Sequence, residues 1–179
     1  MASRPSNKDK SIQGRFQGLL EDHWRIVLKV TNTYTRSSED RRDLAQEISY
    51  QLWRAFPGYD EQRSFSTWMY RIALNVAISY ARTTGLRERR TVPMEAKHEE
   101  LLSADPTSPE ALDRAATLDR FMEGLAQLDR ALLLLYLEEH SYLEIAEILG
   151  ISETNVATKI SRLKRRFRDE SEDGEEHGT

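Results

Sequence analysis

The chain has 179 residues, a formal net charge of −4, 39% hydrophobic residues and 31% charged residues. This length accommodates one ordinary domain or two small ones, and the composition is typical of a globular protein with a highly charged surface. Because the chain has no cysteine, a disulfide framework, cysteine-ligated zinc and a thiol redox switch are excluded.

No export or membrane signal is visible in the sequence. The polar start, MASRPSNKDKSIQG, lacks the apolar core of a signal peptide. The longest apolar run, ALLLLYL at residues 131–137, is far too short to span a bilayer. We therefore expect a cytoplasmic protein with no membrane insertion.

The first half of the chain predicts three helices. Apolar residues recur three and four residues apart, as on one face of an α-helix, and strand-like alternation is nearly absent. Ser38 is the predicted N-cap of the second helix, and Pro57 with Gly58 ends it. The three apolar stripes are Trp24, Val27, Leu28 and Thr31; Leu44, Ile48, Leu52 and Phe56; and Phe65, Trp68, Ile72, Val76 and Tyr80.

The second half predicts a further helical domain. Ser108, Pro109 and Glu110 have the order of an N-cap, a first helical residue and an acid at the positive end of the helix dipole. The stretch DRALLLLYLEE, residues 129–139, is apolar nearly all round, which predicts a buried central helix. The stretch between the two domains has no sustained period and predicts a linker with one short helix near Glu95–Leu102.

These patterns predict an all-α fold of two small helical domains joined by a flexible linker. We expect a disordered start at residues 1–15, a first domain at 16–83, a linker at 84–107, a second domain at 108–168 and an acidic, disordered tail at 169–179.

Residues 141–167, SYLEIAEILGISETNVATKISRLKRRF, predict a helix-turn-helix. Ser141 and Glu144 form a capping box, Gly150 occupies a tight turn, and Ser152 caps the second helix. The predicted inward stripe of that second helix is Val156, Ile160, Leu163 and Phe167.

The opposite face of this second helix has the composition of a DNA-reading surface. Short polar groups near a helix start can reach base edges in the major groove, and bases further along can hold phosphates. The short polar groups and bases of this face are Thr154, Asn155, Thr158, Ser161, Arg162 and Arg165. Six bases (Lys159, Arg162, Lys164, Arg165, Arg166, Arg168) stand against one acid, Glu153. A solvated face of a helical bundle is the alternative interpretation.

Three motifs carry a resemblance to a known family. The helix pair resembles the C-terminal DNA-binding domain of bacterial RNA polymerase sigma factors of the extracytoplasmic-function (ECF) group. RRDLAQEISYQLWRAF is similar to the family's D-L-x-Q-E helix, and FSTWMYRIALNVAISYAR is similar to its F-x-T-W-L-x-R-I-A-x-N segment. The resemblance extends from Phe16 to Phe167.

The resemblance implies a promoter-reading subunit, with core RNA polymerase and promoter DNA as partners and an anti-sigma factor as an expected inhibitor. The first domain would dock on the β′ clamp and capture the unwound minus-ten strand. The second would read the duplex minus-thirty-five element and rest on the β flap. The implied minus-thirty-five residues are Thr154, Asn155, Thr158, Lys159, Ser161, Arg162 and Arg165. The implied minus-ten residues are Tyr59, Arg63, Ser64, Phe65, Arg71 and Asn75. The implied polymerase contacts are Asp43, Gln46, Glu47, Gln51 and Arg54.

Residue chemistry supports the minus-ten assignments unevenly. Tyr59 and Arg63 lie in a polar loop, which makes them the better candidates for contacts to splayed bases. Phe65 and Trp68 stand at helical spacing, which is more typical of core aromatics. Asn75 fits either a buried, satisfied amide or a contact residue.

The sequence gives no indication of catalysis, of a cofactor or of a metal site. Its four histidines are scattered, and it has neither a glycine-rich phosphate loop nor a carboxylate pair at metal-ligand spacing. We therefore predict a sigma factor and not an enzyme. The alternatives are a stand-alone helix-turn-helix regulator, which would bind duplex DNA without polymerase, and a helical adaptor that binds only protein.

Overall fold

A computed structural model of the chain describes the backbone of residues 7–88 and 109–176, and side chains within 11–83 and 114–171. Over these ranges it contains eight α-helices, one 3₁₀ turn and no strand. The predicted all-α fold is therefore confirmed. The chain divides into two compact units, Met1–Ala96 and Lys97–Thr179.

The first unit is a helical bundle. Its elements are α1 (Asn7–Asp22), α2 (Trp24–Tyr34), α3 (Ser38–Ala55), a 3₁₀ turn (Phe56–Gly58) and α4 (Phe65–Glu88). The core is made of Val27, Val30, Leu44, Ile48, Leu52, Met69, Ala73, Leu74 and Ala77, all buried. The α3 stripe is therefore confirmed, but the other two are only partly right. Trp24 and Leu28 are exposed, and Trp68, Ile72, Val76 and Tyr80 are half-buried, because the side of α4 that faces the bundle is that of Met69 and Ala73. The Pro57-Gly58 turn ends α3 as predicted, since the regular helix stops at Ala55.

The start of α3 differs from the prediction by one residue. Ser38 is already helical, and Ser37 is the N-cap in an extended conformation. The Ser37 Oγ accepts the Asp40 N–H at 3.0 Å and donates to Asp40 Oδ2 at 2.6 Å. Ser37 and Ser38 are both suitable N-cap residues by type, so the sequence does not distinguish them. The two hydrogen bonds with Asp40 select Ser37.

Helix α1 includes residues 7–15, which we expected to be disordered. Tertiary contacts stabilise it, because Phe16 is buried against the rings of Trp53 and Phe56 at centroid distances of 5.2 and 5.1 Å. Arg15 forms an ion pair with Glu61 and lies over the Phe56 ring. A polar helix that is weak by its own propensity is thus held in place by one aromatic anchor.

Two other segments are more helical than expected. Helix α4 runs on to Glu88, into the stretch assigned to the linker. Helix α8 runs on to Glu176, into the acidic tail, where Arg166 pairs with Glu170 at 2.6 Å one turn away. The short helix predicted near Glu95–Leu102 lies outside the described residues.

The second unit contains α5 (Pro109–Glu123), α6 (Gln127–Leu137), α7 (Tyr142–Leu149) and α8 (Glu153–Glu176). Helix α5 begins at Pro109, as predicted. The centre of α6 is buried from Ala131 to Leu135, which confirms it as the central helix. Around it pack Phe121, Met122, Leu125, Ile145, Ile148, Val156, Ile160 and Leu163, all buried.

The caps of α7 and α8, and the turn between these helices, have the predicted chemistry. Ser141 and Glu144 form the complete capping box, and Gly150 adopts the left-handed conformation at φ 67°. Ser152 Oγ accepts the Asn155 N–H at 3.2 Å and so caps α8. Hydrogen bonds from the Ser141 side chain and backbone to the Glu144 carboxylate lower the pKa of Glu144. Local hydrogen bonds therefore cap the first turn of both helices of the pair.

Candidate nucleic-acid interface

Helix α8 separates a buried stripe from an exposed polar face. Val156, Ile160 and Leu163 are buried, and the half-buried Phe167 packs edge-on against Phe121 at 5.0 Å. The predicted inward stripe is thus confirmed. The opposite face is open to solvent, since Thr154, Asn155, Thr158, Ser161, Arg162 and Arg165 are all exposed.

Three arginines belong to this exposed face. At about 100° per residue, Arg162, Arg165 and Arg168 lie within roughly 60° of the direction opposite Val156. All three are exposed, and none forms an ion pair with a residue that the structure describes. Their guanidinium groups are thus available to phosphates.

The other three bases of α8 are engaged within their own unit. Lys159 Nζ forms an ion pair with Asp129 at 2.7 Å. The Lys164 ammonium lies 4.4 Å from the centroid of the Tyr136 ring, and its hydrogen bond to the Tyr136 side chain raises the pKa of Lys164.

Arg166 is the third engaged base. It lies over the Phe121 ring at 5.3 Å and pairs with Glu170. The sequence counted all six bases as one cluster. In the structure Arg162, Arg165 and Arg168 have no ion-pair partner among the described residues, whereas Lys159 and the exposed Lys164 and Arg166 contact neighbours in their own unit.

An aromatic cluster underlies the loop between the 3₁₀ turn and α4. The Tyr59 ring lies 6.0 Å from Phe56, 5.3 Å from Phe65 and 5.0 Å from Trp68, measured between centroids. The Tyr59 hydroxyl donates to the Arg63 carbonyl at 2.6 Å. Tyr59, which the sequence favoured as a contact to splayed bases, is half-buried and braces the loop from within.

The remaining minus-ten candidates occupy distinct surroundings. Phe65 is buried, so it supports the loop and does not line the surface. Ser64 caps α4 through a 3.5 Å bond from the Thr67 N–H. Arg63 and Arg71 are exposed. Asn75 is also exposed, so the buried-amide interpretation is wrong.

The polymerase candidates lie along α3. Asp43, Gln46, Glu47 and Arg54 are exposed, and the half-buried Gln51 donates from Nε2 to Glu47 Oε1 at 2.7 Å. A groove of about 720 Å³ between α3 and α4 brings some of them together with Asn75, which the sequence had assigned to DNA. The groove is lined by Asp40, Asp43, Glu47, Gln51, Asn75, Val76, Ser79, Tyr80 and Thr83.

Sequence reasoning missed several residues of this region. The Tyr80 hydroxyl donates to Asp40 Oδ1 at 2.9 Å, and both residues line the groove. Tyr50 and Trp53 expose 54% and 40% of their surface on the helix that carries the polymerase candidates. Their spacing from Glu47 and Gln46 indicated a shared face, but aromatic residues on an amphipathic helix are usually assigned to the core.

Neither a metal-binding cluster nor a membrane-spanning helix is found among the residues that the structure describes. None of the described His, Asp and Glu side chains form a group of three or more that could hold a metal ion. No helix in the described ranges is long and apolar enough to cross a membrane.

The fold and the exposed basic helix define a two-unit helical DNA-binding protein. The family model for Sigma-70 region 2 matches residues 19–87, and the model for Sigma-70, region 4 matches residues 115–167. The ECF RNA polymerase sigma factor SigW of Bacillus subtilis is 30% identical over 175 residues, which cover 89% of this chain and 92% of SigW. The chain therefore belongs to the ECF group of the sigma-70 family, as the resemblance indicated.

Two further comparisons add a relative and a structure. RfaY of Xanthomonas campestris pv. campestris is 28% identical over 170 residues, or 86% of this chain, but the match spans only 41% of the length of RfaY. The solved structure of the sigma factor RpoE in complex with the anti-sigma factor NepR from Bartonella quintana has a TM-score of 0.59 at 15% identity. It covers 89% of this chain and 96% of that chain, which shows a shared fold.

Proposed function

We propose that this chain is a sigma subunit that binds core RNA polymerase, recognises promoter DNA and enables transcription initiation. The observation that supports this most directly is the presence of a region 2 match and a region 4 match on one chain. A stand-alone helix-turn-helix regulator needs only the second of these regions, so that alternative leaves the first unit without a role.

In this proposal the second domain, residues 108–168, reads the minus-thirty-five duplex. Thr154, Asn155 and Thr158 present short polar groups on the first turns of α8, where they can reach base edges in the major groove. Arg162 and Arg165 follow on the same face and hold phosphates, while the exposed Ser161 flanks them.

The first domain, residues 16–83, captures the unwound minus-ten strand. Arg63 projects from a loop whose underside is packed aromatic rings, so the loop is held in shape before DNA arrives. Arg71 and Asn75 continue one turn apart along α4 and offer a charge and an amide to the strand. Tyr59, Ser64 and Phe65 act mainly by supporting this surface.

Helix α3 provides the docking site for the β′ clamp. Its exposed acids, Asp43 and Glu47, can form charge-assisted hydrogen bonds with basic groups of a partner, and Gln51 orients the Glu47 carboxylate. Gln46 and Arg54 extend the same exposed surface. We assign the β flap as the partner of the second domain, with residues 84–107 as the connection between the domains.

Inhibition by an anti-sigma factor is part of the proposal, since the similar RpoE structure contains the anti-sigma factor NepR. We assign the cytoplasm as the place of action, because core polymerase and chromosomal DNA are found there. We assign the chain no catalytic activity, cofactor or metal, because a sigma subunit supplies recognition while core polymerase carries out the chemistry.

Run-off transcription tests this function. Purified core polymerase is combined with the full chain and a library of genomic fragments from the source organism. We expect promoter-specific transcripts only when the chain is present. Arg162→Ala should weaken upstream duplex contact, and Arg63→Ala should weaken strand opening, measured as permanganate reactivity of unpaired thymines. Tight duplex binding without polymerase, and no specific transcript with it, would support the stand-alone regulator instead.

A further inference from the structure

Lys159 is tied to its own domain by a sheltered ion pair. Its Nζ donates to Asp129 Oδ1 at 2.7 Å across 30 residues of sequence, and the two side chains are only 29% and 28% exposed. Asp129 lies in the first turn of α6, and Lys159 lies in α8. A short charge-assisted hydrogen bond in partial shelter is stronger than a pair between fully exposed side chains.

The position of Lys159 around α8 also separates it from the exposed face. At about 100° per residue, Lys159 is roughly 60° from the buried Val156 and roughly 120° from the exposed Arg165. It therefore stands at the edge of the packed side of the helix, and its ammonium is directed to α6 by Asp129.

We propose that Lys159 is a positioning residue that does not contact DNA, and that Asp129 and Lys159 form a latch that sets the orientation of the recognition helix. The proposal rests on the reading of duplex DNA by α8 given above. The neighbouring Arg130 donates to the carbonyls of Met122 and Glu123 at 2.9 and 2.7 Å. Residues 129 and 130 thus join the end of α5, the start of α6 and the second turn of α8.

The ion pair between Asp129 and Lys159 restricts the orientation of α8 in a way that apolar contacts do not. Val156, Ile160 and Leu163 bury α8 against the domain, but hydrophobic contact alone tolerates a small rotation or shift of a helix. A single hydrogen-bonded ion pair at one edge of the stripe restricts that rotation. The side chains that it keeps in register are those on the exposed face, Thr154 and Arg162 among them.

Four variants separate a latch from a DNA contact. Lys159→Met keeps the aliphatic stem and removes the charge, and Asp129→Asn keeps the shape of the carboxylate. The double variant completes the cycle, and Arg162→Ala is the matched phosphate-contact control. Holoenzyme with each chain is titrated with a promoter fragment selected by run-off transcription and with a mixed-sequence duplex, over a series of salt concentrations.

The latch predicts equal effects of the two single substitutions. Each should lower promoter affinity by the same factor, on the order of fivefold, and the double variant should be no weaker than either single one. Binding of the mixed-sequence duplex and the slope of log affinity against log salt should stay unchanged for these variants. Arg162→Ala should make that slope shallower by about 0.9 on both duplexes.

Tighter promoter binding by the Asp129→Asn variant would overturn the proposal. If Lys159 contacts phosphate, its release from Asp129 should tighten binding, and Lys159→Met should make the salt slope shallower. Urea unfolding of the same free chains tests the latch even if no promoter fragment is selected. Coupling between positions 129 and 159 in the unfolding cycle supports the latch, and additive effects there refute it whatever the function of the chain.

Discussion

Replacement of Arg162, Arg165 and Arg168 by alanine should reduce the salt sensitivity of duplex binding, because these three exposed arginines have no ion-pair partner among the described residues. Each phosphate that a base neutralises adds about −0.9 to the slope of log affinity against log salt. Three exposed arginines therefore contribute up to about −2.7, whereas six bases would contribute up to about −5.4. For a fourfold rise in salt these slopes correspond to affinity losses of roughly 40-fold and roughly 1,800-fold.

The assay is fluorescence anisotropy of a labelled promoter duplex bound by holoenzyme, with wild type and variant compared at each salt concentration. The matched control is Lys164→Gln with Arg166→Gln, which removes two bases that Tyr136 and Phe121 hold at the sides of α8. We expect the control slope to stay within about 0.5 of wild type. The prediction is refuted if the control variant makes the slope shallower by as much as the arginine variant does.

Three smaller predictions follow from single contacts. Tyr59→Phe keeps the ring packing but removes the hydroxyl bond to the Arg63 carbonyl, so strand opening should weaken on the order of fivefold, measured with 2-aminopurine in the minus-ten element. Glu139→Gly should stabilise the second unit by about 1 kcal/mol in urea unfolding, because Glu139 is held at φ 62°. Ser141→Ala should destabilise it by about 1 kcal/mol at neutral pH through loss of the cap, and this difference should shrink as pH falls.

The sign of that pH dependence follows from Glu144. Hydrogen bonds from the Ser141 side chain and backbone lower the folded-state pKa of Glu144 below its ordinary value, so its contribution to stability is present above that ordinary value. The contribution is lost as pH falls through the folded-state pKa. Glu144→Gln is the control. In a chain with this substitution, the effect of Ser141→Ala on the free energy of unfolding should not change with pH below neutral. A Ser141→Ala deficit that grows in acid would contradict this assignment.

Controls for the other two substitutions use the same positions. Tyr59→Ala removes both the ring and the hydroxyl, and it should lower the stability of the first unit in addition to strand opening. A Tyr59→Phe variant that opens DNA like wild type would show that the brace is unnecessary. Glu139→Ala cannot relieve the left-handed backbone, so it should not reproduce the gain from glycine.

The helix-turn-helix could be predicted from sequence because its signals are local. The capping box of Ser141 and Glu144, the left-handed Gly150 and the cap at Ser152 act within a few residues, so their order in the chain is their order in space. Helical spacing in the same way placed Val156 and Ile160 in the core. Prediction was weaker at chain segments that gain structure from distant partners, such as α1, which Phe16 anchors.

The sequence by itself determined the all-α class, the helix pair and the family, because each depends on local spacing or on a motif. Only the tertiary structure decided which polar side chains are available to DNA. Lys159 forms an ion pair with Asp129, 30 residues away, and the Tyr59 hydroxyl donates to the Arg63 carbonyl in its own loop. Asn75 is exposed and lines a groove together with the acids of α3. A charge pattern counts bases, whereas the folded chain decides which neighbouring groups compete with phosphate for each of them.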